Sequence, residues 1–289
     1  MPYEPPPPVA SPDTLEEAYG LLADGGPAWR PIAGGTDLLV AITGELGEPP
    51  ARVLDLWRLD ELRGIDVSDG RLTIGALTTY TSIRRSADIA VHAPVLAEAA
   101  ATIGAAQIQN RGTIGGNIAH ASPAGDTLPV LLALDAEIVV GGARGERAVP
   151  ASAFWPAYRL TSLATDELVL RVVLPAVAGR QARFRKVGTR RAQAISKVVM
   201  TLAWTETEPG GPWRDVRVAL GSVAATPIRA AATEAVLEGR RPDEATTGRA
   251  SEALAAEISP IDDVRSTADY RRAASVRVLA RLLRDAGGW

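Results

Sequence analysis

The chain has 289 residues, of which 46% are hydrophobic, enough to bury one large domain or roughly two to three modest ones. Its 31 basic and 34 acidic residues leave a formal net charge of −3, and no block of like charge indicates nucleic acid or an anionic membrane as a partner. There is no cysteine, and the two histidines are not spaced as a ligand pair, which excludes a cysteine-ligated iron–sulfur cluster, a disulfide and a zinc site of nitrogen and sulfur ligands. Any redox chemistry must therefore come from an organic cofactor.

The beginning of the sequence, MPYEPPPPVASPDT, has no basic segment followed by an apolar one. No later stretch reaches the roughly 18 uninterrupted apolar residues of a membrane-spanning helix. We therefore expect a cytoplasmic protein without membrane insertion.

The first 56 residues predict a small βαβ-like unit. A short amphipathic helix follows a cap at Asp13 or Thr14. Two short buried strands, 29–33 and 53–56, then flank a loop that leads into an apolar helical segment over 36–43.

Residues 57–178 predict a larger mixed part. The expected strands cover 72–74, 137–140 and 167–173, and an alanine-rich helix covers 93–104. Together with the βαβ-like unit, this part makes up a first domain over 1–178.

The remainder, 179–289, predicts a C-terminal domain with an antiparallel sheet and helices. Strands over 198–205 and 213–221 flank the sequence Pro-Gly-Gly-Pro, a hairpin signal. Helical segments follow near 230–238, 243–257 and 267–285. The last segment has an apolar face made of Ala273, Val276, Ala280 and Leu283. The expected fold class is α+β.

Two glycine pairs carry the candidate chemistry. The first lies where an apolar strand runs into glycines, a hydroxyl and a carboxylate: Pro31, Ile32, Ala33, Gly34, Gly35, Thr36, Asp37 and Leu38. Adjacent glycines allow positive φ and can aim successive N–H groups at one phosphate. The alternative is an ordinary tight turn.

The second pair repeats this pattern, with Asn110, Arg111 and Gly112 leading into Thr113, Ile114, Gly115, Gly116 and Asn117, followed by the segment ASPAGDT at 121–127. Two such loops facing each other would enclose a dinucleotide from both sides. Neither loop matches G-x-G-x-x-G or the P-loop motif, which disfavours a Rossmann NAD domain and an ATPase.

The sequence resembles the FAD-binding medium subunits of the molybdenum hydroxylases, the family of xanthine dehydrogenase, aldehyde oxidase-type enzymes and carbon monoxide dehydrogenase. The resemblance rests on AGGTDLL at 33–39, NRGTIGGNIAHASPAGDTLPVLLAL at 110–134 and RKVGTRRAQAISKV at 185–198. Further matches extend it over nearly the whole chain. The implied fold is an FAD-binding domain of the vanillyl-alcohol-oxidase-like type followed by a smaller C-terminal α+β domain.

The resemblance also implies site residues. Residues 31–38 and 113–117 would hold the FAD diphosphate and ribityl arm, chiefly with backbone N–H groups. Asp126 would accept a hydrogen bond from the cofactor, and Ile103, Val169 and Lys186 would line the flavin or adenine pocket. A cation at Lys186 would favour the anionic reduced flavin, unless Lys186 is a solvated surface lysine.

The segment Gln193-Ala194-Ile195-Ser196 departs from the pattern of many relatives, which carry an acidic residue just before the Ile-Ser pair. The missing carboxylate weakens the case for NAD as the terminal acceptor. We expect His120 to be a neutral packing or hydrogen-bonding residue.

In the enzymes that this sequence resembles, a large molybdopterin subunit hydroxylates the substrate and two [2Fe-2S] clusters pass electrons to FAD, then to NAD, oxygen or a quinone. We therefore expect a heterooligomer with a large molybdopterin-binding subunit and a small [2Fe-2S] subunit. The substrate could be a purine, another N-heterocycle, an aldehyde or carbon monoxide. The alternatives are an independent flavin reductase or oxidase, which would need a serine or glutamate proton donor, and a colourless scaffold subunit.

Overall fold

Three β-sheets organise the protein in a computed structural model that describes residues 7–44, 48–190 and 192–289. Within these ranges, no helix combines the length and the hydrophobicity that crossing a membrane requires.

The first sheet is parallel, with the strand order β1-β3-β2. Its unit consists of β1 (Val9–Ala10), α1 (Leu15–Leu22), β2 (Trp29–Ile32), α2 (Leu38–Thr43) and β3 (Arg52–Asp55). Ile32 pairs with Asp55, so β2 and β3 end at the same edge of the sheet. The βαβ arrangement matches the sequence prediction. The two-residue strand β1 was not predicted, and β2 is half-buried rather than buried because it lies at the edge of the sheet.

The second sheet is antiparallel, with the order β4-β5-β8-β6-β7. Its strands are β4 (Ile65–Ser68), β5 (Arg71–Gly75), β6 (Glu137–Gly142), β7 (Gly145–Pro150) and β8 (Leu168–Pro175). Its helices are α3 (Tyr80–Arg85), α4 (Ala87–His92), α5 (Pro94–Ala101), α6 (Ala106–Arg111), α7 (Ile114–His120), α8 (Leu128–Ala133) and α9 (Ala151–Phe154). A β-bulge at Leu170 interrupts the alternation of side chains along β8. Leu168 and Leu170 pack with the first unit, whereas Val169 and Val172 pack with the helices.

The third sheet is antiparallel, with the order β12-β11-β10-β9. The unit contains β9 (Gln181–Val187), β10 (Val198–Glu206), β11 (Trp213–Gly221), β12 (Ile228–Arg229), α10 (Ala231–Leu237), α11 (Glu244–Glu257) and α12 (Ala268–Gly287). Strands β10 and β11 form the predicted hairpin. One face of the sheet packs against α10 to α12, and Ala203 and Ala219 on the other face join the core of the second unit.

The predicted apolar face of α12 is correct only at Leu283. Ala273 is exposed, and the buried residues are Arg271, Ser275, Leu279, Leu282 and Leu283. Burial of the charged Arg271 is possible because its guanidinium donates to the Ser222 carbonyl oxygen at 2.9 Å and to Asp263 Oδ1 at 2.7 Å.

Asp135 ties the second and third units together. It follows α8, and its carboxylate accepts hydrogen bonds from Arg180 at 3.0 Å, Arg217 at 3.0 Å and Arg229 at 3.2 Å. All three arginines belong to the C-terminal part of the chain. This ion cluster fixes the third sheet against the second unit.

Candidate functional site

The segment 33–37, between β2 and α2, carries a row of available backbone donors. The N–H groups of Ala33, Gly34, Gly35, Thr36 and Asp37 make no hydrogen bond to any described residue. The row starts where two parallel strands end, the edge at which such sheets bind ligands. Successive free N–H groups on a sharp turn form a concave site for anions.

We expected positive φ in both glycine pairs. Of these four glycines, only Gly35 has it, with a φ of +73°. Gly34 is a glycine for a different reason. A Cβ atom on Gly34 would lie 1.8 Å from the Arg111 carbonyl oxygen, so a side chain there would force the backbones of the two segments apart. The two glycine-rich segments, which sequence spacing alone could not bring together, therefore touch.

A second contact joins the segments at their other ends. His120 Nδ1, at the end of α7, lies 3.4 Å from Asp37 Oδ1. Burial lowers the pKa of His120 below its ordinary value, although Asp37 opposes this effect. The lowered pKa favours the neutral imidazole, and the packing or hydrogen-bonding role of His120 stays a prediction.

The second glycine pair is not in a loop. Gly115 and Gly116 lie in the first turn of α7, which Thr113 caps by accepting a hydrogen bond from the Gly116 N–H at 3.1 Å. The Ile114 N–H donates to Thr78 and the Gly115 N–H to Ala76, both through carbonyl oxygens. The first-turn donors of α7 are thus engaged within the protein, unlike those of segment 33–37.

Gly115 is required by packing. A Cβ atom there would lie 2.8 Å from the carbonyl oxygen of Ala76 and 2.6 Å from its Cβ, whereas at Gly116 it would meet only the Thr113 hydroxyl, at 2.9 Å. Gly115 therefore lets α7 approach the end of β5, and Gly116 is less constrained.

Asp126 and Lys186 form a buried ion pair between the second and third units. Lys186 Nζ lies 2.5 Å from Asp126 Oδ2 and 3.0 Å from the Thr102 carbonyl oxygen, and the two side chains are only 10% and 8% exposed. The alternative of a solvated surface lysine is therefore excluded. Burial raises the pKa of Asp126 to about 6, although Lys186 lowers it.

Two buried oxygens near α7 and α8 lack partners among the described residues. They are Asp126 Oδ1 and the hydroxyl of Tyr80. Asn117 Oδ1 accepts a hydrogen bond from the Thr127 hydroxyl at 2.8 Å, which leaves the amide NH₂ group of Asn117 as a donor. Sequence reasoning missed Tyr80, because a tyrosine at the start of a helix is an ordinary core residue.

The structure shows less about the predicted pocket-lining roles of Ile103 and Val169. Ile103 is half-buried in the turn after α5, and its carbonyl oxygen accepts from Gln109 at 2.9 Å. Val169 lies in the core on β8 and is 7% exposed. The structure thus brings together 33–37, α7 and the Asp126–Lys186 pair around the second unit, while Val169 has little free surface.

The donor set fits a dinucleotide. Free backbone N–H groups at 33–37 match a diphosphate, and the unpartnered Asp126 Oδ1 matches a hydroxyl or N–H donor of the same ligand. Gln193 lies near this region, since its N–H donates to the Gly104 carbonyl oxygen at 3.3 Å, close to Ile103.

Two family models together match most of the chain. Residues 3–177 match the FAD binding domain in molybdopterin dehydrogenase, and residues 183–286 match the CO dehydrogenase flavoprotein C-terminal domain. Among curated proteins, the carbon monoxide dehydrogenase medium chain of Hydrogenophaga pseudoflava is 32% identical over 96% of this chain and 95% of its own length. The xanthine dehydrogenase FAD-binding subunit of Escherichia coli O157:H7 is 30% identical over 95% of each chain.

Solved structures agree. Carbon monoxide dehydrogenase from Hydrogenophaga pseudoflava superposes with a TM-score of 0.92 and 32% identity, over 98% of this chain and 97% of that one. Quinoline 2-oxidoreductase from Pseudomonas putida 86 gives a TM-score of 0.91 at 28% identity, over 98% of both chains. The expected α+β fold, with an FAD-binding part and a C-terminal domain, is confirmed.

Proposed function

Since the chain belongs to the FAD-binding medium subunits of the molybdenum hydroxylases, we propose that it passes electrons from [2Fe-2S] clusters on a partner chain through FAD to an external acceptor. The observation that carries this proposal is the row of backbone donors at 33–37 without a described partner, together with the unpartnered oxygen of the buried Asp126 carboxylate. No cysteine is available in these 289 residues to ligate an iron–sulfur cluster. We therefore assign the clusters to a small partner subunit and the molybdopterin to a large one.

Each part of the site has a role in holding the cofactor. The backbone of Ala33 to Asp37 would bind the diphosphate, and Asn117 would add a side-chain donor from α7. Asp126 Oδ1 would accept a hydrogen bond from a hydroxyl or N–H group of the cofactor, with Lys186 holding the carboxylate in place. Bound FAD supplies the step from one-electron to two-electron transfer.

Ile103, Val169 and Lys186 remain the proposed pocket lining for the flavin or adenine. Lys186 would shape this pocket as half of an ion pair rather than as a lone cation, because Asp126 balances its charge. The segment 193–196 lacks the carboxylate of many relatives, which favours oxygen or a quinone over NAD as the acceptor.

The test is the composition of the complex. Co-expression with its partner genes should yield an assembly containing FAD, iron and molybdenum, in which the flavin leaves with this chain when the subunits are separated. A chain that purifies alone and turns over substrate without partners would refute the proposal, as would a colourless chain in an active complex.

A further inference from the structure

We propose that Trp57 and Arg111 form a clasp that holds the second glycine segment against the first and thereby positions the FAD site. The inference rests on the FAD-binding function proposed above. It assigns a positioning role to Trp57, a residue outside both glycine-rich segments.

The clasp consists of stacked side chains. The guanidinium carbon of Arg111 lies 3.7 Å from the centroid of the Trp57 ring, and that of Arg63 lies 4.4 Å from it. Arg111 is exposed and makes no ion pair with any described residue, so the indole is the partner of its charge. A guanidinium over an indole face is a favourable electrostatic contact.

Trp57 is itself rigidly held. The backbone N–H of Trp57 donates to Asp55 Oδ1 at 2.9 Å, and its backbone carbonyl oxygen accepts from the Arg63 guanidinium at 2.6 Å. The last residues of β2 and β3, Ile32 and Asp55, pair with each other. Gly34 lies two residues after the end of β2, and Trp57 lies two residues after the end of β3. The indole therefore stands at the same edge of the parallel sheet as the donor row.

Arg111 consequently attaches to the first unit at two points. Its carbonyl oxygen occupies the space that a side chain on Gly34 would fill, and its guanidinium lies on Trp57. Arg111 also ends α6, two residues before the cap of α7. Losing the stack would free one of these attachments and let α7 move away from the segment 33–37.

The experiment titrates FAD into the full-length apoprotein by flavin fluorescence. We expect Trp57→Leu and Arg111→Met each to weaken FAD binding by about threefold to tenfold, and the double variant to be no weaker than either single variant. Trp57→Phe and Arg111→Lys keep an aromatic face and a charge, and should restore most of the affinity. Trp289→Leu, which removes a longer arginine–indole contact with Arg284 at 5.4 Å, is the control and should bind as the wild type does.

The outcomes separate the two proposals. A wild-type chain that fails to bind FAD contradicts the proposed function. If the wild type binds and Trp57→Leu binds equally well, the clasp is wrong. If only Arg111→Met weakens FAD binding, the charge of Arg111 acts directly on the ligand. If the double variant loses affinity by the product of the two single-variant factors, the two residues act independently. Either result overturns the inference.

Discussion

Asp126 is the proposed acceptor of a hydrogen bond from the cofactor. Its pKa is raised to about 6 by burial, so the carboxyl group titrates close to neutral pH. A cofactor group that donates a hydrogen bond to Oδ1 would favour the charged carboxylate and lower this pKa on binding.

Binding should therefore release a proton, and FAD affinity should rise as the pH increases from 5 to 7.5. Lowering the pKa by one to two units on binding corresponds to a rise in affinity of about fivefold to tenfold between these limits. The measurement is the FAD dissociation constant against pH for the wild type and Asp126→Asn. If the variant shows the same pH profile as the wild type, Asp126 is not the titrating group.

Lys186 is the other half of the buried pair, and its removal should be costly. We expect Lys186→Met to destabilise the chain by about 3–5 kcal/mol, because it leaves a buried carboxylate without its counter-charge. The measurement is urea unfolding of the apoprotein. Lys197→Met is the control, since the ammonium group of Lys197 only lies over the Tyr270 ring at 4.8 Å and should contribute about 0.5–1 kcal/mol. Equal losses in the two variants would contradict the importance of the pair.

At the level of elements, local patterns predicted much of the fold and part of the site. The Pro-Gly-Gly-Pro hairpin and the βαβ-like unit were correct because turn residues and short apolar runs are local signals. The α12 face was wrong except at Leu283 because burial of Arg271 depends on carbonyl oxygens of distant residues. The Asp126–Lys186 pair, 60 residues apart in sequence, could not be derived from local pattern.

The glycine pair of α7 has a backbone geometry that differs from the expected one. We expected its glycines to take positive φ in a loop, but they lie in a helix whose close approach to Ala76 requires a missing Cβ. The expected backbone geometry was wrong, and the contact of this motif with FAD stays a prediction.

The different surroundings of Gly115 and Gly116 predict that alanine substitutions at these positions have unequal effects on stability and FAD retention. Gly115→Ala should destabilise the chain by about 1–3 kcal/mol through overpacking and reduce FAD retention, whereas Gly116→Ala should retain FAD. Gly248→Ala in α11, where a Cβ would meet nothing within 4 Å, should instead stabilise by about 0.5–1 kcal/mol. Thermal unfolding measures the change in stability, and the flavin-to-protein absorbance ratio measures FAD retention. Equal loss of FAD in both α7 variants would mean that cofactor contact, rather than packing, selects these glycines.

For the whole molecule, the placement of the third sheet matters because it brings Lys186 to Asp126. Asp135 anchors this sheet through three arginines. Asp135→Ala leaves their charges in excess and should cost about 1–3 kcal/mol. Hydrogen exchange should rise in β9 and at Asp126.

The control for Asp135 is Asp285→Ala, which removes a surface pair with Arg281 and should cost about 0.5 kcal/mol or less. Unchanged exchange in β9 after loss of Asp135 would show that apolar packing alone positions the third sheet.

The central claim is that electrons leave the complex through FAD held by this chain. Gly35→Val should abolish FAD retention, because valine is strained at a φ of +73° and its side chain would displace the donor row. In the assembled complex, substrate should still reduce the [2Fe-2S] clusters, as seen by electron paramagnetic resonance. We predict that these clusters then stay reduced after the acceptor is added, whereas they are reoxidised in the wild type and in Gly248→Val. Reoxidation at the wild-type rate in a flavin-free Gly35→Val complex would contradict the account.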